Sequence, residues 1–248
     1  EAPRRAFRVP PPPPPPLPGV LAARSARPPE SDRLYRGNPS LTDSQLWNAE
    51  ARYEWYFARE QRITTAVFYK KIDNPIEAYT SQDSNTVNTS YANAPTATLY
   101  GVEFELQKYF PLDTWGGAFF ANRRAVVVAN YTYTQSQISV GATDTTRING
   151  QTLDASDFFF DGSPLTGQSD HLVNLQLGLE DTETNSQQTL LLTYSSPRVT
   201  SRGPSGQPDI QEHPGFTLDF VARQGFNLFG RELDLKLEAR NLTGRRYE

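Results

Sequence analysis

The chain of 248 residues contains no cysteine. That excludes a disulfide framework, a catalytic thiolate and every cysteine-based metal site. Methionine is also absent, so Glu1 is no translation start and the chain is expected to be a fragment or processed product. A basic excess is missing: 24 Lys and Arg stand against 28 Asp and Glu, which leaves no electrostatic footprint for nucleic acid. Long apolar runs are missing too, and nothing approaches the ~20 residues that a membrane helix requires. With a mean hydropathy of −0.60, the chain is no helical membrane protein. A transmembrane barrel stays open, because its strands show lipid only every second side chain. Histidine is scarce: His171 and His213 stand far apart, outside any metal-ligand spacing. No nucleophile elbow or phosphate-cradling glycine loop occurs. No catalytic residue, metal ligand or cofactor is assigned, and the chain does not read as an enzyme.

Proline is abundant in one place. Residues 1–30, with "VPPPPPPPLPG" at their centre, read as an extended polyproline segment flanked by Arg- and Ala-rich sequence. A disordered or non-native stretch is the expectation, and a docking ligand for a proline-binding module the alternative. The composition changes abruptly near Ser31, which sets the boundary of a second region, 31–248.

From Gln45 onward the pattern is one of alternation. In "QLWNAEARYEWYF", Trp47, Ala49, Ala51, Tyr53, Trp55 and Phe57 share one face, opposite Asn48, Glu50, Arg52 and Glu54. "TLYGVEFELQKYF" sets Tyr100, Val102, Phe104 and Leu106 against Gly101, Glu103, Glu105 and Gln107. "RELDLKLEA" sets Leu233, Leu235 and Leu237 against Asp234, Lys236 and Glu238. A period of two belongs to strands. Eight such stretches predict eight long strands, longer than the usual five or six residues of soluble sheets.

The connections alternate as well. Short ones are expected near Ala58–Gln61, Pro111–Gly117, Thr182–Ser186 and Gly230, and long ones at 74–96, 139–169 and 197–215. Short turns on one rim and long loops on the other mark an outer-membrane barrel. Aromatics at strand ends (Trp47, Trp55, Tyr56, Phe57, Tyr109, Phe110, Trp115, Tyr194, Phe226, Phe229) are expected to form the interfacial girdles. His171, opening a strand, is expected at an interface. The fold class is therefore all-β, an antiparallel transmembrane β-barrel fragment of about eight strands whose leucines face lipid.

Two loops offer candidate ligand contacts. Phe158, Phe159 and Phe160 stand between Asp157 and Asp161 in the longest connection. Exposed aromatic triplets are costly, so they either pack the loop onto itself or meet a ligand; self-packing is the favoured expectation. Arg198 and Arg202 lie on a proline-marked loop and suit an anionic ligand, or form ordinary polar surface.

"LYRGNPSLTDSQLWNAEARYEWYF", "ATLYGVEFELQKYF", "SPLTGQSDHLVNLQLGLED" and "LEARNLTGRRYE" together resemble the C-terminal barrel half of TonB-dependent outer-membrane receptors. The resembling motifs are Gly37 to Leu41, Gly101-Val102-Glu103, and Asn241 followed by Tyr247. The resemblance covers roughly residues 33–248. It implies a barrel of about 22 strands with a plugged lumen, in the outer membrane of a Gram-negative bacterium. It also implies import of a scarce nutrient such as an iron–siderophore chelate, with energy from the TonB complex. The plug, the TonB box and the final strand are expected to lie outside this chain, and residues 31–248 alone are expected not to transport. A soluble all-β carbohydrate-binding module and a passive porin are the alternatives.

Overall fold

A computed structural model of the chain describes residues 25–26, 34–83, 86–203 and 207–246. The proline-rich reading of residues 1–30 lies outside them, apart from Ser25–Ala26.

Eight long strands form one antiparallel sheet. They are β1 (Gln45–Ala58), β2 (Gln61–Asp73), β3 (Thr96–Pro111), β4 (Arg123–Ser139), β5 (His171–Asp181), β6 (Ser186–Ser195), β7 (Gly215–Leu228) and β8 (Arg231–Ala239). Each pairs with its sequence neighbour, so the spatial order is the chain order and β1 and β8 are the two open edges. All eight stretches read from the alternation are strands.

Registers carry the alternation across the whole sheet. Cross-strand partners share a face. One row runs Tyr53, Thr65, Phe104, Tyr131, Val173, Tyr194 and Phe216 from β1 to β7. The row below it runs Trp55, Ile63, Leu106, Ala129, Leu175, Leu192 and Leu218. Further down, Val127, Leu177, Leu190, Phe220 and Ala239 align. These rows make one continuous apolar belt. The opposite face carries Glu54, Thr64, Glu105, Asn130, Asn174, Thr193 and Thr217 in a single row.

No second sheet covers the belt among the described residues, and Val67, Leu177, Leu235 and Leu237 stand exposed on it. A soluble sandwich hides such a face against a partner sheet. The open belt therefore argues against the soluble module.

Two expectations are corrected here. Tyr56 and Tyr109 belong to no girdle: Tyr56 pairs with Arg62, and Tyr109 with Val126, on the face opposite the belt. Trp55, Tyr56 and Phe57 are consecutive, and a period of two cannot put all three on one side. The β3–β4 connection is also longer than expected, running over Leu112–Asn122 with a 3-10 turn at Asp113–Trp115. The other short turns stand. At the last of them Phe229 (φ 52°) and Gly230 (φ 76°) both take positive φ, as a two-residue hairpin turn that follows strand twist requires.

The long connections are not bare loops. The first contains the hairpin Ile76–Asp83/Thr86–Asn93, the second the hairpin Thr145–Ile148/Gln151–Asp154, and the third the pair Arg198–Ser201/Ile210–Glu212.

Candidate functional site

The three long connections and the segment before β1 fold together over one rim of the sheet. Their apolar core joins Tyr79, Ala92, Ala94, Ile148, Ala155, Phe159 and Leu165 to Ala97 and Ile138 of the sheet itself. Ala97 alternates with Leu99, Gly101 and Glu103, and Ile138 with Ser136, Thr134 and Thr132, so both belong to the polar face. The loops are thus docked on the side that faces away from the belt. In a closed cylinder that side is the lumen, and the loops roof its mouth.

Asn38 ties the roof together. Its Nδ2 donates to the carbonyls of Tyr91 (3.0 Å) and Arg147 (2.8 Å), and its Oδ1 accepts from the amides of Ser40 (3.0 Å) and Asn149 (3.1 Å). One buried side chain thereby joins three segments that are distant in sequence. The Gly37 to Leu41 motif owes its form to this: Pro39 stiffens the turn that aims Asn38 inward.

Arg202 is the second tie. It is fully buried, with its guanidinium against Asp209 (2.7 Å), Glu77 (3.4 Å) and the carbonyl of Pro164. Its own backbone extends the first hairpin: the Arg202 amide donates to Ala78 and its carbonyl accepts from Thr80, both at 2.8 Å. Glu77 also accepts from the Thr166 amide at 2.9 Å. Burial holds the Glu77 carboxyl above the ordinary glutamate range, and this outweighs the lowering effects of the Thr166 amide and of Arg202.

The structure divides the predicted contacts. Phe159 is buried in the roof core, and Phe158 packs edge-on against Tyr79 at 5.2 Å. Both pack the loop onto itself, and neither offers a surface to solvent of the kind Phe160 does, at 47% exposure. Arg202 is enclosed in its ion-pair network and presents no free cation. Arg198 is paired with Glu212 at 2.7 Å but keeps part of its side chain in solvent. Phe160 and Arg198 are thus the two candidates that reach the outside. Asn38 and Glu77 were not singled out from the sequence. The Asn-Pro pair was the available signal for Asn38; Glu77 in "NPIEAYTSQ" gave none.

Below the roof, the polar face is laced with ion pairs. Arg62 meets Glu105 at 2.6 Å, Arg124 meets Glu180 at 2.9 Å, and Arg52 lies between Glu50 and Glu54. Among the described residues no group of His, Cys, Asp and Glu could hold a metal ion. His171 sits at the edge of the belt near the long loops, 5.1 Å from the Tyr133 ring and hydrogen-bonded through Nδ1 to the Tyr131 hydroxyl at 2.9 Å.

A one-sided apolar belt, an ion-paired opposite face, short turns on one rim and a packed roof on the other define part of a β-barrel wall of the outer-membrane type. The family described as TonB dependent receptor-like, beta-barrel matches residues 20–242, and the chain belongs to that family. Among solved structures the chain is similar to a mutant of the ferric enterobactin receptor of Pseudomonas aeruginosa, with 16% identity and a TM-score of 0.47. That match covers 85% of this chain and 27% of the receptor chain, so this chain spans about a quarter of the receptor's length. No curated protein matches the sequence.

Proposed function

We propose that the chain forms part of the wall and outer mouth of a receptor that captures a scarce nutrient, such as an iron–siderophore chelate, and imports it with TonB-derived energy. The apolar belt contacts outer-membrane lipid, and the ion-paired face lines the lumen. The roof is the ligand-capture surface. Phe160 offers it an aromatic contact and Arg198 a cation, while Phe158, Phe159 and Arg202 hold the scaffold on which they are displayed.

The observation that carries this reading is the inward docking of the long loops through Ala97 and Ile138. Ligand capture needs a shaped surface on a fixed scaffold, and the shared core supplies one. The test is uptake by the full-length receptor, expressed in an outer membrane stripped of its own siderophore receptors. Accumulation of ferric siderophore that stops when the TonB complex is deleted is the expected result. Equal entry with and without that complex contradicts it.

A further inference from the structure

The chain contains one Asn-Gly pair, Asn149-Gly150. It makes the two-residue turn of the hairpin Thr145–Ile148/Gln151–Asp154, with φ of 51° and 87°, and both residues are exposed. Positive φ at both positions suits a tight hairpin reversal, which accounts for the pair in structural terms. The same pair carries a reaction. The amide nitrogen that follows an asparagine can attack the asparagine side-chain carbonyl carbon, and glycine, without a Cβ, hinders that approach least.

Two hydrogen bonds fasten this turn to the segment before β1. The Gly150 amide donates to Ser40 Oγ at 2.7 Å, and the Asn149 amide to Asn38 Oδ1 at 3.1 Å. The strand behind the turn is held as well: Asn38 Nδ2 donates to the Arg147 carbonyl at 2.8 Å, and Thr146 Oγ1 to the Asn93 carbonyl at 2.9 Å. Space around the turn is open, for a Cβ placed on Gly150 would find nothing within 4 Å. Crowding therefore does not oppose the reaction. The Ser40 bond does, at the reacting atom itself. Ring closure needs the Gly150 nitrogen to lose its proton and swing onto Asn149 Cγ, whereas the Ser40 oxygen holds that proton and fixes the peptide plane.

We propose that Asn149-Gly150 is a deamidation site kept latent by Ser40. When the Ser40 bond opens, the Gly150 nitrogen bonds to Asn149 Cγ. Its proton passes through solvent to the side-chain nitrogen, which leaves as ammonia, and a cyclic imide remains. Water then adds to one of the two imide carbonyl carbons and opens the ring to aspartate or isoaspartate. No oxidant or further reactant takes part. Isoaspartate lengthens the main chain by one carbon, which carries the turn out of step with Asn38 and Ser40. Conversion thus unties the second long connection from the segment before β1. This inference does not depend on the membrane-spanning reading of the belt.

The test follows full-length receptor, folded in vesicles, through incubation in mildly alkaline buffer. Peptide mass spectrometry reads acid formation and isoaspartate at position 149, and also at Asn185, in a short turn on the other rim. Conversion at 149 should be slower in the folded parent than in the parent unfolded in urea. Ser40→Ala should speed it by about two- to tenfold, the range that one lost hydrogen bond corresponds to, with the rate at Asn185 unchanged. Ser40→Thr, which keeps the hydroxyl, should stay near the parent. Equal rates in the folded and unfolded parent overturn the proposal. So does Ser40→Ala with no rise at 149, or with a rise shared by Asn185. Protease cleavage between Gly141 and Gly167 should quicken as isoaspartate accumulates, and cleavage that ignores conversion overturns the untying.

Discussion

The ring of Phe68 lies over Gly101, its cross-strand partner on the polar face: a Cβ placed on Gly101 would stand 2.7 Å from the Phe68 Cζ. The same Cβ would stand 2.2 Å from the Tyr133 carbonyl oxygen. Glycine in a strand interior usually weakens it; here it lets an aromatic ring and a neighbouring backbone close over the gap. The Gly101-Val102-Glu103 motif is thereby explained by packing.

Gly101→Ala should cost about 1–3 kcal/mol, the ordinary penalty of overpacking. Adding Phe68→Ala removes one contact but leaves the backbone oxygen, so the double variant should stay destabilised. Urea unfolding of the full-length receptor in vesicles reads both. Full recovery in the double variant would contradict the backbone contact as the cause.

Asn38→Ala strips four hydrogen bonds from the roof, and each buried group left unpaired costs about 1–3 kcal/mol. The roof should loosen while the wall stays folded. Protease added to intact cells should then cut between Gly141 and Gly167 far faster than in the parent. Unchanged protection would mean that Asn38 is not a tie.

Arg202→Met should be the most damaging roof substitution, since it takes the guanidinium from the buried cluster and leaves the Asp209 carboxylate and the Pro164 carbonyl without their partner; breaking a buried pair costs about 3–5 kcal/mol. Glu77→Gln should be mild, because burial already favours the uncharged form. A carboxyl whose folded pKa is raised adds stability that is full below the unfolded value and is lost as pH rises through the folded value. Roof stability, read as hydrogen-exchange protection of the Thr166 amide, should therefore decline as pH rises from the ordinary glutamate range. Glu77→Gln should flatten that decline. A roof that tightens with rising pH would reverse the assignment.

The wall was legible because each strand meets two different surroundings, and Leu233, Leu235 and Leu237 against Asp234, Lys236 and Glu238 display the contrast in nine residues. The roof was not. Ile76–Asp83 and Thr86–Asn93 are largely polar, and their order comes from partners far along the chain: Glu77 and Arg202 are 125 positions apart. An arginine among Gly, Pro and Ser reads as surface unless those partners are known. The girdle was readable only in part, since Trp55-Tyr56-Phe57 conceals which ring points inward until the register with Arg62 is seen.

Sidedness follows from the rims. Ala142 lies on the long-loop rim and Thr184 in a short turn. In cells expressing the full-length receptor, Ala142→Cys should react with a membrane-impermeant maleimide from outside. Thr184→Cys should react only after the outer membrane is opened. The opposite pattern would invert the barrel.

The proposed function requires lipid against one face of this sheet and lumen against the other, and neighbouring residues on β5 separate the two. Leu177 belongs to the belt row with Val127 and Leu190, while Gln176 belongs to the polar face with Val128 and Leu191. The measurement is the folding free energy of full-length receptor carrying Leu177→Arg or Gln176→Arg in lipid vesicles. Leu177→Arg should cost about 2–4 kcal/mol if it lies near the midplane, and Gln176→Arg much less. Equal costs on the two faces would contradict the account.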